Sequence, residues 1–136
     1  MNTKVHTLAL SLAQQLIQTD TVNPPGNESD AVRFLAPLFE EKGFVVKEYA
    51  CGPNRSSLIA HKGRTDKPSL MLSGHLDTVP FGSQPWTNPP LSGSIVDQKL
   101  YGRGSADMKG GVAVICAASL HLASQIEDEP ITVILS

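Results

Sequence analysis

Segments with helical periodicity alternate with short apolar runs along this chain, and this alternation constrains its fold more than any other feature. Apolar residues recur every three or four positions between residues 4 and 18 and again between 31 and 38. The run 69–72 is short and apolar, as expected of a buried strand, and β-branched residues dominate the run from Ile131 to Leu135. Helices that alternate with apolar strands indicate an α/β sandwich on a parallel or mixed sheet.

Length and composition favour one domain and weigh against several kinds of partner. The chain has 136 residues, of which 40% are hydrophobic, and its formal net charge is −2. One hydrophobic core suits this size, and so small a charge is not typical of proteins that bind nucleic acid or an acidic membrane. No apolar stretch approaches the roughly 20 residues of a membrane-spanning helix. The sequence therefore predicts a single domain over residues 1–136.

The two cysteines indicate a reducing compartment. Cys51 and Cys116 are far apart and show no C-x-x-C spacing, so neither a zinc knuckle nor a disulfide framework is expected. The N-terminal apolar run lacks the small-residue cleavage site that ends a secretory signal. A cytoplasmic location is therefore predicted.

The first motif with chemical potential follows the apolar run 69–72 directly. Residues 73–80 read Ser-Gly-His-Leu-Asp-Thr-Val-Pro. In an extended chain the side chains of His75 and Asp77 point to the same side, so both can face one cavity. A histidine that binds a metal commonly donates its second ring N–H to a carboxylate, which Asp77 can supply. The alternative is that His75 packs on the sheet and Asp77 forms a turn with Thr78.

The second motif is the glycine-rich segment 100–111, Leu-Tyr-Gly-Arg-Gly-Ser-Ala-Asp-Met-Lys-Gly-Gly. It places Asp107 near the start of a helix predicted over residues 112–123. A phosphate-binding loop is disfavoured, because Asp107 stands where a third glycine would be needed and its carboxylate would repel a pyrophosphate. A cap at the helix N-terminus is the structural alternative for Asp107.

Together the two motifs predict a metal site. The imidazole of His75 and the carboxylates of Asp77 and Asp107 form a mixed nitrogen and oxygen set that suits zinc or a similar divalent ion. A bound cation also compensates a buried carboxylate, which is otherwise costly. One aspartate can bridge two ions about 3.5–4 Å apart, the usual spacing of two-metal hydrolase sites.

The order and spacing of these motifs resemble those of a known family. The segments 74–80, 100–104 and 107–111, with Trp86, are similar to motifs of the zinc metallopeptidase/deacylase family, which includes acetylornithine deacetylase, succinyl-diaminopimelate desuccinylase, aminoacylase and glutamate carboxypeptidase. Residues 22–28 resemble the opening loop of that family. Gln98 departs from the pattern, since the family often has glycine there, and this affects only a hairpin turn. The resemblance implies a zinc-exopeptidase-like α/β fold, a three-layer sandwich with a mixed, mainly parallel sheet.

The resemblance also implies a reaction and a role for each of three residues. His75 would bind one metal ion, Asp107 would bridge two, and Asp77 would be the catalytic acid residue that orients His75 from behind. The cofactor would be two Zn²⁺ ions, for which Co²⁺ can substitute, and the reaction would be hydrolysis of the amide of an N-acyl amino acid. The motifs favour the acetylornithine deacetylase or succinyl-diaminopimelate desuccinylase type, in amino-acid metabolism. Short peptides, cleaved by a carboxypeptidase or dipeptidase, are the alternative substrate.

Other acidic and imidazole side chains are poorly placed for this site. The family's paired glutamates, a general base and a metal ligand, follow the strand that matches residues 131–135, where this sequence ends. The acidic residues 127–129 precede that strand and are about 20 Å from its carboxyl end. His121 is about 21 Å from Asp107 along a helix. The chain is therefore predicted to be the N-terminal portion of a metallohydrolase catalytic domain, with little or no activity by itself.

Two other functions compete with this hypothesis. The chain can be a non-catalytic scaffold or interaction module that self-associates through an exposed sheet edge at Ile131–Leu135, because unpaired strand edges recruit partners. A nucleotide-binding α/β domain is the weaker alternative, for the reason given for Asp107. For the hydrolase, the expected partner is a small-molecule N-acyl amino acid or a short peptide, with no nucleic acid and no membrane.

Overall fold

The computed structural model describes residues 3–125 and 129–136. In chain order the elements are α1 (Thr3–Gln18), α2 (Glu28–Glu41), β1 (Val45–Gly52), β2 (Arg55–Lys62), β3 (Leu70–Gly74), β4 (Ser94–Val96), β5 (Lys99–Tyr101), α3 (Lys109–Leu122) and β6 (Ile131–Leu135). The predicted alternation of helices with apolar strands is confirmed. Within the described part of the chain, no helix combines the length and the apolar character that crossing a membrane requires.

Four of the strands form one mixed sheet in the order β1-β2-β6-β3. β2 is antiparallel to both β1 and β6, whereas β3 runs parallel to β6. The expectation of a mixed sheet is confirmed, but the expectation that it is mainly parallel is wrong for the described strands. β1 and β2 are consecutive and joined by a tight turn at residues 53–54, and so short a connection permits only antiparallel pairing.

The last strand, β6, lies inside the sheet. It pairs with β2 on one side and with β3 on the other. The predicted exposed edge at Ile131–Leu135 is therefore wrong, because both rows of backbone hydrogen-bonding groups are used. The edges are β1 and β3. Leu70 and Met71 of β3 are 57% and 62% exposed, so the expectation that the run 69–72 forms a buried strand is also wrong.

The core of the protein lies on one face of this sheet. Along β2 and β6 alternate side chains are buried, among them Leu58, Ala60 and Val133. Helices α2 and α3 pack on that face, and α1 packs on α3. The opposite face, which includes Tyr49 and Met71, carries no helix from residues 3–125 or 129–136. Along the central strands only one side chain in two meets a helix, so helices cover one face of the sheet. The described residues therefore form two layers, and the prediction of three layers is wrong for them.

Each helix buries an apolar stripe against this core. Leu12 and Leu16 of α1 are buried, and so are Leu35 and Phe39 of α2. Both pairs are four residues apart, the spacing that keeps side chains on one face of a helix. The Phe39 ring meets that of Phe44 edge-on, with centroids 5.1 Å apart, and closes the end of α2 over the sheet.

A separate hairpin of β4 and β5 precedes the second motif. Its two turn residues, Asp97 and Gln98, have φ values of 48° and 61°. Positive φ at both central residues is what a type I′ turn requires, and glycine usually meets that requirement. Gln98, the departure from the family pattern, thus lies at the tip of this turn.

Candidate metal centre

The carboxyl end of β3 places the first two candidate residues. Leu76 points into the core and is completely buried, while His75 and Asp77 both line a surface cavity. The Ser136 N–H donates to the Gly74 carbonyl at 3.1 Å, so the end of β6 supports this segment. The predicted placement of His75 and Asp77 on one side of an extended chain is confirmed.

The structure brings all three predicted side chains together. His75 Nδ1 lies 3.1 Å from Asp77 Oδ1, and His75 Nε2 lies 2.9 Å from Asp107 Oδ1. Asp107 is 32 positions away in the sequence, so only the path of the chain brings it to the imidazole. The ring therefore lies between two carboxylates, with one facing each nitrogen.

The structural alternatives for these residues do not describe the observed geometry. Met108, and not Asp107, is the N-cap residue of α3, and the Asp107 carboxylate faces His75 instead. The Asp77 carboxylate also faces His75. The Thr78 N–H donates to the Thr21 carbonyl at 3.0 Å, not to the side chain of Asp77.

Solvent reaches the three side chains to different extents. The side chains of His75, Asp77 and Asp107 are 38%, 33% and 88% exposed. Burial by itself lowers the pKa of His75. The hydrogen bonds to Asp107 and to the Asp77 backbone, with the charges of both carboxylates, outweigh it and raise that pKa above its ordinary value. The surroundings of this ring therefore favour positive charge at the imidazole.

A close approach at Gly104 joins the second motif to the first, and the buried Lys109 joins the second motif to the end of α1. Gly104 has a φ of 85°, and a Cβ there would lie 2.9 Å from Thr78 Cγ2 and 3.0 Å from Lys109 Cδ. Lys109 is buried, and its ammonium donates to the Thr19 carbonyl at 2.6 Å. Burial lowers the pKa of Lys109 to about 8. The two segments can approach this closely only with glycine at position 104.

Arg103 joins the same two segments from the outside. Its guanidinium donates to the carbonyls of Pro80 and Phe81 at 3.0 and 3.3 Å and lies 5.0 Å from the ring of Trp86. Trp86 Nε1 also donates to the Phe81 carbonyl, at 3.1 Å. These contacts combine a cation–π interaction with hydrogen bonds. They give a structural reason for the tryptophan and the arginine of the motifs.

Sequence reasoning missed Asn23. The loop 22–28 resembles a family loop only as a whole, and no single residue of it stands out. In the structure, Asn23 Nδ2 donates to Asp77 Oδ2 at 3.0 Å, across 54 positions of sequence. No local pattern predicts a contact over that separation.

His75 and Asp77 line a cavity of about 240 Å³ that also borders Glu28 and Arg55. Arg55 donates two hydrogen bonds to Glu28, at 3.0 and 2.9 Å. The opposite charges of this bidentate pair compensate each other, so that wall of the cavity presents little net charge. The cavity is slightly smaller than the roughly 300–1,000 Å³ of complete small-molecule sites.

The donors at the centre fit a metal ion, but they are few. His75 Nε2 and Asp107 Oδ1 converge, and nitrogen and oxygen donors suit zinc, which takes about four ligands including water. Within residues 3–125 and 129–136, no group of three or more histidine, cysteine, aspartate or glutamate side chains is arranged to hold a metal. The described residues therefore offer two converging ligands, with Asp77 behind the imidazole.

The remaining acidic and imidazole candidates lie elsewhere. His121 is near the carboxyl end of α3 and hydrogen-bonds to Gln125. Glu129 precedes β6, at the far end of that strand from Gly74 and the centre. Glu127 and Asp128 lie outside the described residues.

Comparison with known proteins decides the family. Residues 71–136 match the family model of peptidase family M20/M25/M40. The chain is 42% identical over 116 residues to a succinyl-diaminopimelate desuccinylase of Methylorubrum extorquens, and the alignment covers 82% of this chain and 29% of that protein. The chain belongs to the M20/M25/M40 peptidase family.

A second relative has a similar name. The chain is 35% identical over 117 residues to the probable succinyl-diaminopimelate desuccinylase of Staphylococcus aureus, and the alignment covers 85% of this chain and 28% of that protein. The chain thus spans about 29% of the length of the curated relatives that it matches.

Solved structures of M20 proteins share the fold. Human carnosine dipeptidase 1 superimposes with a TM-score of 0.72 at 26% identity, over 97% of this chain and 32% of that one. The M20 family metallo-carboxypeptidase Sso-CP2 from Sulfolobus solfataricus reaches a TM-score of 0.76 at 21% identity, over 100% of this chain and 31% of that one. The mixed four-stranded sheet and its helices therefore match part of the structures of M20 enzymes.

Proposed function

We propose that the chain contributes two metal ligands and one orienting carboxylate to the active site of an M20 amide hydrolase. The position of His75 supports this most directly, because its ring nitrogens face Asp77 and Asp107 at 3.1 and 2.9 Å. In this proposal His75 Nε2 would hold one zinc ion, the carboxylate of Asp107 would serve two, and Asp77 accepts a hydrogen bond from His75 Nδ1. Co²⁺ suits the same donors.

The chemistry of the proposed site follows from these roles. When bound, the zinc ions would polarise an amide carbonyl and lower the pKa of water. Asp77 holds the neutral imidazole in the tautomer that carries its hydrogen on Nδ1, which leaves the lone pair of Nε2 for a metal. The exposed carboxylate of Asp107 has two oxygens and can serve two ions. Gly104 and Arg103 keep its loop against the segment of His75.

The proposed substrate is an N-acyl amino acid with a succinyl group. Relatives named succinyl-diaminopimelate desuccinylase, 42% and 35% identical to the chain, support this choice. A short peptide is the second candidate, supported by the 26% identity to carnosine dipeptidase 1. A deacetylase of the acetylornithine type stays a prediction from the motifs.

Metal titration tests the ligand assignment. Purified chain is titrated with Zn²⁺ by calorimetry and with Co²⁺ by visible absorption, alongside Asp107→Asn, which removes the charge but keeps the shape. We expect at least about a tenfold loss of affinity in this variant. Asp66→Asn is the matched control, because it removes an exposed carboxylate that pairs with Arg64. Equal zinc affinity in wild type and Asp107→Asn would contradict the assignment.

A chimera tests the reaction. The chain replaces the aligned segment of the Methylorubrum extorquens desuccinylase, and release of succinate from N-succinyl-diaminopimelate is compared with hydrolysis of a dipeptide. We expect metal-dependent release of succinate that Asp107→Asn reduces at least about a hundredfold. Undiminished succinate release by the Asp107→Asn chimera would rule out the proposed role. A preference for the dipeptide would favour the second candidate substrate.

A further inference from the structure

The loop between α1 and α2 reaches the candidate metal centre through one side chain, that of Asn23. Its Nδ2 donates to Asp77 Oδ2 at 3.0 Å, while Asp77 Oδ1 faces His75 Nδ1 at 3.1 Å. The carboxylate of Asp77 is therefore engaged at both oxygens, one by an amide and the other by the imidazole. Together the contacts form a chain of hydrogen bonds from Asn23 through Asp77 and His75 to Asp107.

The chemistry of the two groups determines the direction of the first bond. An ionised carboxylate only accepts hydrogen bonds, so the atom of Asn23 that faces it must be the amide nitrogen. The alternative amide orientation would set a carbonyl oxygen against a carboxylate oxygen. Asn23 thus acts as a hydrogen-bond donor to the carboxylate of Asp77.

Backbone contacts place Asn23 and do not depend on its side chain. The Asn23 N–H donates to the Thr78 carbonyl at 2.8 Å, and the Thr78 N–H donates to the Thr21 carbonyl at 3.0 Å. The hydroxyl of Thr21 donates to the Leu76 carbonyl at 2.7 Å, and both threonines are buried. The segment 21–23 therefore lies alongside 76–78 as a short parallel bridge. A substitution at position 23 should leave this bridge in place.

The amide of Asn23 restrains the terminal side-chain torsion of Asp77, which the rest of the site holds only weakly. The terminal torsion of an aspartate is broad, because it joins an sp³ to an sp² carbon. A bond to Oδ2 fixes this torsion and keeps Oδ1 directed at His75 Nδ1. Without it, Oδ1 is free to turn away from His75 Nδ1, whose other partner is the Asp77 backbone carbonyl at 3.1 Å, and the Asp107 carboxylate competes for the imidazole hydrogen at Nε2.

We propose that Asn23 is a positioning residue of the metal centre. It holds the Asp77 carboxylate so that His75 carries its hydrogen on Nδ1 and presents the lone pair of Nε2 to a metal ion. The inference rests on the proposed function for the role of His75 as a ligand. The hydrogen-bond geometry on which it acts is present without a metal.

Zinc affinity is the first measurement. We expect Asn23→Ala to weaken Zn²⁺ binding about 10-fold, as loss of an outer partner of a ligand commonly does. Asn27→Ala is the matched control, since Asn27 is in the same loop and its side chain accepts a hydrogen bond from Asn54 at 2.8 Å. If Asn23→Ala does not fold, Asn23→Leu offers a similar size without the donor. Wild-type affinity in the folded Asn23 variant overturns the proposal.

A double-mutant cycle separates positioning from a general structural effect. On an Asp77→Ala background, Asn23→Ala should cause no further loss of zinc affinity, because the group through which it acts is gone. A loss as large as in the wild-type background would show that Asn23 acts by another route and would overturn the proposal.

The imidazole tautomer provides a readout that needs no metal. Nitrogen NMR of the metal-free chain, above about pH 9 where imidazoles are neutral, should show a smaller Nδ1–H fraction for His75 in Asn23→Ala than in wild type and in Asn27→Ala. If the wild-type chain binds no zinc, the proposed role of His75 as a metal ligand fails. The tautomer spectrum alone then tests whether Asn23 positions Asp77. An unchanged tautomer ratio in Asn23→Ala then overturns the inference.

Discussion

His75 and His61 lie at opposite ends of the same sheet and show two different uses of an imidazole with both nitrogens bonded. His61, in β2, contacts the Thr132 hydroxyl at 2.9 Å and the Gly63 carbonyl at 3.2 Å. His75 has carboxylate neighbours at both nitrogens. The hydroxyl and the carbonyl beside His61 carry no net charge, whereas the two carboxylates beside His75 leave negative charge that favours a cation. The charge of the partners, and not their number, distinguishes the two sites.

The largest contrast between the two ends should be in metal affinity. We expect His75→Ala to lower Zn²⁺ affinity about 100-fold, equivalent to about 3 kcal/mol, because it removes a ligand. His61→Ala should leave affinity within about twofold, since the partners of His61 are neutral and lie at the far end of the sheet. Calorimetric titration of the two folded variants measures this. Similar losses of Zn²⁺ affinity in His75→Ala and His61→Ala would mean that carboxylate partners do not distinguish the two histidines in metal binding.

Two glycines should separate stability from metal binding. A Cβ on Gly104 would lie 2.9 Å from Thr78, and a Cβ on Gly63 would lie 2.8 Å from Pro130. Both have positive φ, so we expect each alanine variant to lose about 2–3 kcal/mol of unfolding free energy in urea. Of the two variants, only Gly104→Ala should also weaken zinc binding, because Gly104 lies in the segment that carries Asp107 and Gly63 does not. Weaker zinc binding in Gly63→Ala would argue against this division.

Lys109, the buried lysine near the candidate metal centre, should make the stability of the fold depend on pH. The pKa of Lys109 is about 8 in the folded chain, against an ordinary value of 10.5. Between these values the unfolded chain binds more protons, so folding stability rises with pH. Relative to Lys109→Met, the wild-type chain should gain on the order of 1–3 kcal/mol between pH 8 and 10.5. Urea denaturation at several pH values measures it, and parallel curves would contradict the burial of this ammonium.

The smallest effect is expected at the His61 end. Thr132 Oγ1 lies 2.9 Å from His61 Nδ1 and 2.8 Å from Ser69 Oγ. Thr132→Val removes this hydroxyl at nearly constant size, and we expect a loss of about 1 kcal/mol in thermal or urea unfolding. Zinc affinity should stay as in wild type. A change in affinity would indicate coupling between the two ends through β6.

Elements and the first motif could be predicted from local sequence. The helical stripes, the β4–β5 hairpin and the shared side of His75 and Asp77 depend on residues a few positions apart, which the backbone geometry of helices and strands relates directly. The position of β6 in the sheet could not be predicted from local sequence. Its alternating pattern shows which side chains face the core, but not which strands lie beside it.

By itself, the sequence determined the residue types of the site and their order: an imidazole and a carboxylate two positions apart, then a second carboxylate in a glycine-rich loop before a helix. Only the tertiary structure decided that Asp107 meets His75, that Asn23 holds Asp77 and that β6 occupies the centre of the sheet. Contacts across 32 and 54 positions depend on the path of the whole chain. Local periodicity carries no information about that path.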